Sequence, residues 1–206
     1  MSYAALFGHS AGGTLAPLVA RDLNVAEIAV AGAMGSNFIE YIVAMRDRER
    51  ALEGRSKQGI AQMHAVTQAC LARLLEQGQS PDAIEAAHPE CKKQVRFDSP
   101  TAFTRQWHQF DLSEAWSHVK APVLVFYGTG DFVTSEFESQ TLVVRVNSMA
   151  QPKKPRARYR ALPMDHGFLA HEDPKSAWEA ERGKRTQAYI LHSMIDELVS
   201  FFGGAK

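Results

Sequence analysis

The chain lacks an excess of charge of either sign. Its 206 residues carry 23 lysines and arginines against 23 aspartates and glutamates. A balanced chain offers no electrostatic field for nucleic acid or an anionic membrane, so neither is expected as a partner. The one basic cluster, "PKKPRARYR" at Pro152–Arg160, reads as solvated loop and strand edge. Long apolar runs are also missing, and no stretch has the length of a membrane span. The N-terminus shows neither a basic region nor an extended apolar stretch, so no signal peptide is expected. Cysteine is scarce. Cys70 and Cys91 make no disulfide framework and have no metal-ligand spacing. A reducing, cytoplasmic compartment is the default expectation, with neither metal nor cofactor. Internal repeats and low-complexity tracts are absent as well. What remains is an ordinary globular composition, 45% apolar and 22% charged, in a chain long enough for one domain with an insertion.

Within that frame the chain alternates strands and helices. Tyr3–Phe7 suits a buried parallel strand, Ala11–Asp22 a helix with Pro17 inside it, and the apolar stretch within Val25–Gly35 a second strand. A strand, a helix and a strand make a parallel crossover unit. From about Ser36 to Phe110 the apolar spacing turns helical, with stops at Gly54 and Gly78 and a further start at Ser80-Pro81. "APVLVFYGTGD" then supplies a strand at Val123–Tyr127. "SEFE", Ser135–Glu138, matches a capping box that opens another helix. Ala157–Leu162 is a fourth strand, and "TQAYILHSMIDELVSFFGG" is an amphipathic helix stopped by Gly203. The expected class is α/β, with a mostly parallel sheet of about four strands. The expected parts are 1–35, a helical insertion at 36–110, and 111–206.

The segment "LFGHSAGGTLAPLVARDL" holds the chemistry. Gly8-His9-Ser10-Ala11-Gly12 fits G-x-S-x-G, and it sits between a strand and a helix. A serine on so sharp a turn exposes its hydroxyl. Glycines two before and two after are expected because side chains there would clash. A hydroxyl is a weak nucleophile and needs a base, and the base needs an orienting acid. Asp131 follows the third strand in "FYGTGDFVTS", and His166 follows the fourth in "ALPMDHGF". Both lie at strand C-terminal ends, where open α/β sheets place their sites. There are rivals among the eight histidines. The His9 ring is expected to pack beside the turn, and His171 is tied less closely to the strand end. His64, His88, His118 and His192 read as surface or core residues. Asp165 and Asp173 would have to fold back onto His166, and Asp111 suits a helix N-cap.

Together "FGHSAGG", "APVLVFYGTGDFV" and "PMDHGF" resemble the C-terminal part of the α/β-hydrolase superfamily, in its serine esterase and peptidase type with a helical cap. The resemblance implies that Ser10 is the nucleophile, Asp131 the acid and His166 the base, with the backbone N–H of Ala11 in the oxyanion hole. It implies a cap at 36–110 over an apolar pocket, with Phe38, Tyr41, Met45, Trp107, His108 and Phe110 as lining candidates. Of these, Phe38, Tyr41, Trp107 and His108 are taken as substrate-binding, although such aromatics also serve as a cap's own core. In that family the serine follows the fifth strand, so the upstream strands and the glycine-rich second oxyanion segment have no counterpart here. The expectation is a truncated serine hydrolase acting on a small-molecule or peptide ester or amide. Its bare first strand should lead to self-association or to capture of the missing N-terminal half. Two alternatives stay open: an inactive remnant acting as a binding or assembly module, and acyl transfer to an acceptor other than water.

Overall fold

The computed structural model describes residues 4–148, 155–183 and 191–203. They divide into two compact units, Met1–Ser36 with Leu112–Lys206, and Asn37–Asp111.

The first unit is built on a four-stranded sheet. Its strands are β1 (Ala4–His9), β2 (Val25–Ala31), β3 (Val123–Gly128) and β4 (Ala157–Leu162). They pair in the order β1-β2-β3-β4, each pair parallel. Helix α1 (Ala11–Asp22) joins β1 to β2 and packs on both, with Pro17 buried inside it. α6 (Leu112–Ser117) leads into β3, and α7 (Glu136–Ser148) joins β3 to β4. α8 (Pro174–Gly183) and α9 (Leu191–Phe202) follow. The central strands are near-continuous apolar runs because both their faces are covered. Ala29, Ala31, Leu124 and Phe126 form one core with Met194 and Phe201 of α9. Ile28, Val30, Val123 and Val125 alternate with them and are equally buried on the opposite face. Full burial of Phe126 alone contributes about 1.5–3 kcal/mol.

The strands and the helix after the elbow form where the apolar patterning places them. The expected helix start at Thr186, the Tyr3 start of the first strand, and residues 152–154 of the basic run lie outside the described residues. The capping-box reading of Ser135–Glu138 needs correction. Ser135 Oγ does accept from the Glu138 N–H, at 3.4 Å. The Glu138 carboxylate, however, is buried and accepts from Gly35 N (2.6 Å), Ser36 N (2.7 Å) and Ser36 Oγ (2.6 Å). Three donors from the loop after β2 outweigh one local N–H. Two turns further along α7, Arg145 donates to the Gly35 carbonyl and to Ser113 Oγ. One face of α7 thus holds the chain on both sides of the helical segment.

The second unit is all-helical: α2 (Phe38–Leu52), α3 (Lys57–Leu75), α4 (Pro81–Ala87), a 3-10 turn (Pro89–Cys91) and α5 (Thr101–Gln109). Asn37, Ser56 and Ser80 cap the first three by accepting the N–H three residues on. Arg105 donates to the carbonyls of Leu74, Gly78 and Gln79, filling the unsatisfied C-terminal end of α3. Ile39, Val43, Leu71, Leu74, Ile84 and Val95 form the core.

Cys70 and Cys91 correct a second expectation, because they are joined in a disulfide. The packing of α3 against the 3-10 turn brings their Cα atoms to 5.5 Å, within bonding range, and both are buried. Residue count carries no information on that distance. Among the described residues, no helix is long and apolar enough to cross a membrane.

Candidate active site

Ser10 stands between β1 and α1 with φ 53° and ψ −120°, a left-handed conformation that non-glycine residues adopt at a cost of about 1–3 kcal/mol. The elbow is held by Ser10 N–H donating to the Ala31 carbonyl of β2 (2.8 Å) and by Thr14 N–H donating to the Ser10 carbonyl (3.1 Å). Thr14 Oγ1 in turn accepts from Met34 N, tying α1 to the loop after β2. The glycine requirement falls differently from the motif. A Cβ on Gly8 would lie 2.6 Å from the Gly12 carbonyl oxygen. A Cβ on Gly12 would meet nothing within 4 Å, whereas one on Gly13 would lie 3.1 Å from both the Gly8 carbonyl oxygen and Ala33 Cβ. Strand and helix approach each other at Gly8 and Gly13, and Gly12 faces outward. Ala11 is the first residue of α1, so its N–H has no acceptor one turn earlier and stands at the positive end of the helix.

Three strand ends bring Ser10, Asp131 and His166 together. His166 Nε2 is 3.0 Å from Ser10 Oγ, and its Nδ1 is 2.8 Å from Asp131 Oδ2. Asp131 is buried, at 3% exposure. Its Oδ1 accepts from the N–H groups of Val133 and Thr134, both at 2.8 Å, and its Oδ2 from Thr134 Oγ1 at 2.5 Å. A carboxylate oxygen only accepts, so His166 donates from Nδ1 and leaves Nε2 free to accept from the serine. Below the imidazole lies Gly32, at φ 60°, where a Cβ would sit 2.7 Å from His166 Cε1. Only glycine lets the ring lie against that backbone.

Thr134 and Gly32 are absent from the residues singled out in the sequence. Thr134 is buried and also lies 3.3 Å from His166 Nδ1. "DFVT" carried a usable signal for it, because an aspartate that accepts the N–H groups two and three residues on brings the third side chain beside its own.

The rival residues have other partners. Asp165 Oδ1 accepts from Gly167 N and Leu169 N, both at 2.8 Å, and shapes the loop that carries His166. Asp173 accepts from Lys175 N and Ser176 N at the start of α8. His171 is buried with Nδ1 3.2 Å from Ser176 Oγ. His9, as expected, packs beside the turn. Its Nε2 lies 2.7 Å from the His166 carbonyl oxygen, and its ring centroid is 4.4 Å from that of Phe168. Burial, and then the neighbouring His166, hold its pKa below the ordinary histidine value.

The four residues expected to bind substrate belong to the helical unit. Phe38 and Tyr41 pack against its core, and Phe38 stacks on Trp107 with centroids 6.4 Å apart. His108 Nδ1 is buried, with no hydrogen-bond partner among the described residues.

The chain is similar to several solved structures. A hydrolase from Pseudomonas aeruginosa PA01 shares 15% identity over 98% of this chain and 65% of its own, with a TM-score of 0.47. An enol-lactonase from Burkholderia xenovorans LB400 shares 17% over 98% of this chain and 66% of its own, with a TM-score of 0.44. A meta-cleavage product hydrolase from Pseudomonas fluorescens IP01 shares 16% over 99% of this chain and 66% of its own, with a TM-score of 0.48. The chain therefore spans slightly under two thirds of the length of each of these three proteins. No curated protein matches it. The sequence profile of one family matches residues 3–181, from the first strand into α8. The chain belongs to the alpha/beta hydrolase family.

Proposed function

We propose that the protein is a serine hydrolase that cleaves an ester or amide of a small molecule or peptide through Ser10, His166 and Asp131. The observation that carries this reading is the pair of contacts on one imidazole, 3.0 Å to Ser10 Oγ and 2.8 Å to Asp131 Oδ2. As Oγ bonds to the substrate carbonyl carbon, His166 Nε2 takes its proton, and Asp131 stabilises the imidazolium that forms. The carbonyl oxygen becomes an oxyanion facing the Ala11 N–H. The carbon–leaving group bond then breaks, and the leaving group departs with the proton from His166. A water molecule next gives a proton to His166 while its oxygen attacks the acyl carbon, and collapse frees the acid and restores Ser10. Phe38, Tyr41, Trp107 and His108 are proposed to contact the acyl or side-chain portion of the substrate. A cytoplasmic location is weakened by the Cys70–Cys91 bond, since such bonds are rare in reducing compartments.

A fluorophosphonate probe tests the assignment. Ser10 should be the labelled residue, and Ser10→Ala should abolish labelling. His166→Ala should lower kcat by several orders of magnitude, and adding Ser10→Ala should cost little more, because such residues act as a unit. Labelling that survives Ser10→Ala refutes the assignment.

A second reading is an inactive remnant that acts as a binding or assembly module. What favours it is the outer edge of β1, unpaired among the described residues. Phe7 of β1 is 38% exposed, and Val19 of α1 and Leu23, just past its end, are exposed at 42% and 57%. We propose that this edge associates with a second copy or with a polypeptide that adds strands to it. A chain that folds and associates but never reacts with the probe would establish the second reading.

A further inference from the structure

The side chain of His166 is held by Ser10, Asp131 and Gly32, and the loop beneath it is tied to the turn after β3 by Gly130 N–H, which donates to the Met164 carbonyl at 2.9 Å. Asp165 binds the N–H groups of Gly167 and Leu169, and Asp165 N–H donates to the Leu169 carbonyl at 2.9 Å. These bonds shape the turn and tie it to the strand end that carries Asp131, not to the strand that carries Ser10. His9 does reach across. It adjoins Ser10 at the end of β1, and its side chain meets the backbone of His166 itself. We infer that His9 is a positioning residue: its Nε2–H, donated to the His166 carbonyl oxygen, fastens the base loop to the strand that carries Ser10. The inference rests on the Ser10–His166 reading and adds a residue to it.

A carbonyl oxygen only accepts, so the 2.7 Å contact requires the hydrogen to be on His9 Nε2. With that nitrogen committed to a carbonyl, His9 moves no proton during reaction. The ring adds a second hold. Phe168 adopts a left-handed φ of 67°, which persists only where surroundings enforce it, and its ring lies on His9. Phe7, two residues before His9 on the same strand face, approaches Phe168 as well, at 6.4 Å between centroids. The strand that presents the nucleophile therefore also grips the loop that presents the base. His9 sets the separation between Ser10 Oγ and His166 Nε2, which governs kcat more than substrate affinity.

The test uses the full chain and three substitutions. His9→Phe keeps an aromatic ring against Phe168 and removes the donor. His9→Asn ends too short to reach the carbonyl. His9→Gln places an amide N–H where Nε2 stood. The readouts are the rate of Ser10 phosphonylation, kcat and KM for a short activated ester, and the low-field proton resonance of His166 Nδ1–H. His9→Phe and His9→Asn should slow phosphonylation and kcat about 10- to 100-fold, with KM little changed, and broaden that resonance. His9→Gln should restore most of the rate and the sharp line. Wild-type behaviour in His9→Phe or His9→Asn overturns the inference. So does a His9→Gln protein as impaired as the other two, or a loss confined to KM. Ser10→Ala separates the two layers. If labelling survives it, the catalytic reading falls while the resonance still decides whether His9 holds the loop. If the wild-type chain does not react at all, the resonance decides alone.

Discussion

Gly8 and Gly12 hold equivalent places in the serine motif, yet they should respond oppositely to alanine. At Gly8 the added Cβ would sit 2.6 Å from the Gly12 carbonyl oxygen and 2.8 Å from Gly13 Cα. Ordinary contact begins near 3.4 Å, so strand and helix must part by several tenths of an ångström. Both contacts are backbone, which cannot swing aside as a flexible side chain would. Overpacking of this kind costs about 1–3 kcal/mol of stability. The same displacement moves Ser10 off His166 Nε2, and a shift approaching 1 Å costs about 10²-fold in rate. At Gly12 a Cβ meets nothing within 4 Å, and the residue lies inside α1. Alanine there should stabilise the helix by up to about 1 kcal/mol. Urea unfolding followed by circular dichroism measures the first quantity, and the rate of fluorophosphonate labelling the second. Gly8→Ala should lose both stability and labelling, while Gly12→Ala should match or exceed wild type in stability and keep its labelling. An equal loss in the two variants would refute the account of which glycine carries the close approach.

The Cys70–Cys91 bond closes a sequence separation of 21 residues, and loop-closure entropy assigns it about 3 kcal/mol. Cys70→Ala/Cys91→Ala, or unfolding under reductant, should lower stability by about that amount. Two free thiols titrated in the denatured, unreduced protein would show that the bond is absent. If the exposed edge of β1 is an association site, light scattering on a size-exclusion column should find species above the 22.8 kDa of one chain. A monodisperse monomer would count against it. His9 titrates in the folded protein below its ordinary 6.5, because burial and His166 disfavour its cation. As pH falls through 6.5 the unfolded chain binds that proton first, so the contribution to stability is complete above 6.5 and declines toward the folded value. His9→Gln should show a shallower loss of stability over that window. Identical slopes would mean that His9 is not the titrating group.

Much of this fold is local and was legible in the residue pattern. A short apolar run before glycines reads as β1, the following helical spacing as Ala11–Asp22, and "ARYRAL" as β4, because strand and helix preferences act over a few residues. The candidate site was legible in outline for the same reason. Ser10, Asp131 and His166 each follow a strand end, and parallel strands bring their C-terminal ends to one edge of the sheet. Tertiary structure decided what depends on distance in space. Glu138 has the spacing of a capping-box partner, but it serves donors 103 and 102 residues away. Cys70 and Cys91 pair because α3 and a 3-10 turn pack together. Gly13 rather than Gly12 shares the close approach with Gly8 because the rotation of α1 against the sheet points it inward. Ser10 and His166 lie 156 residues apart in the chain, and His9 reaches the His166 carbonyl over 157. Residue pattern names such partners only as chemical types. The strand order β1-β2-β3-β4 and the helices packed on it set their separation and orientation, and hydrogen bonds form only where both are met.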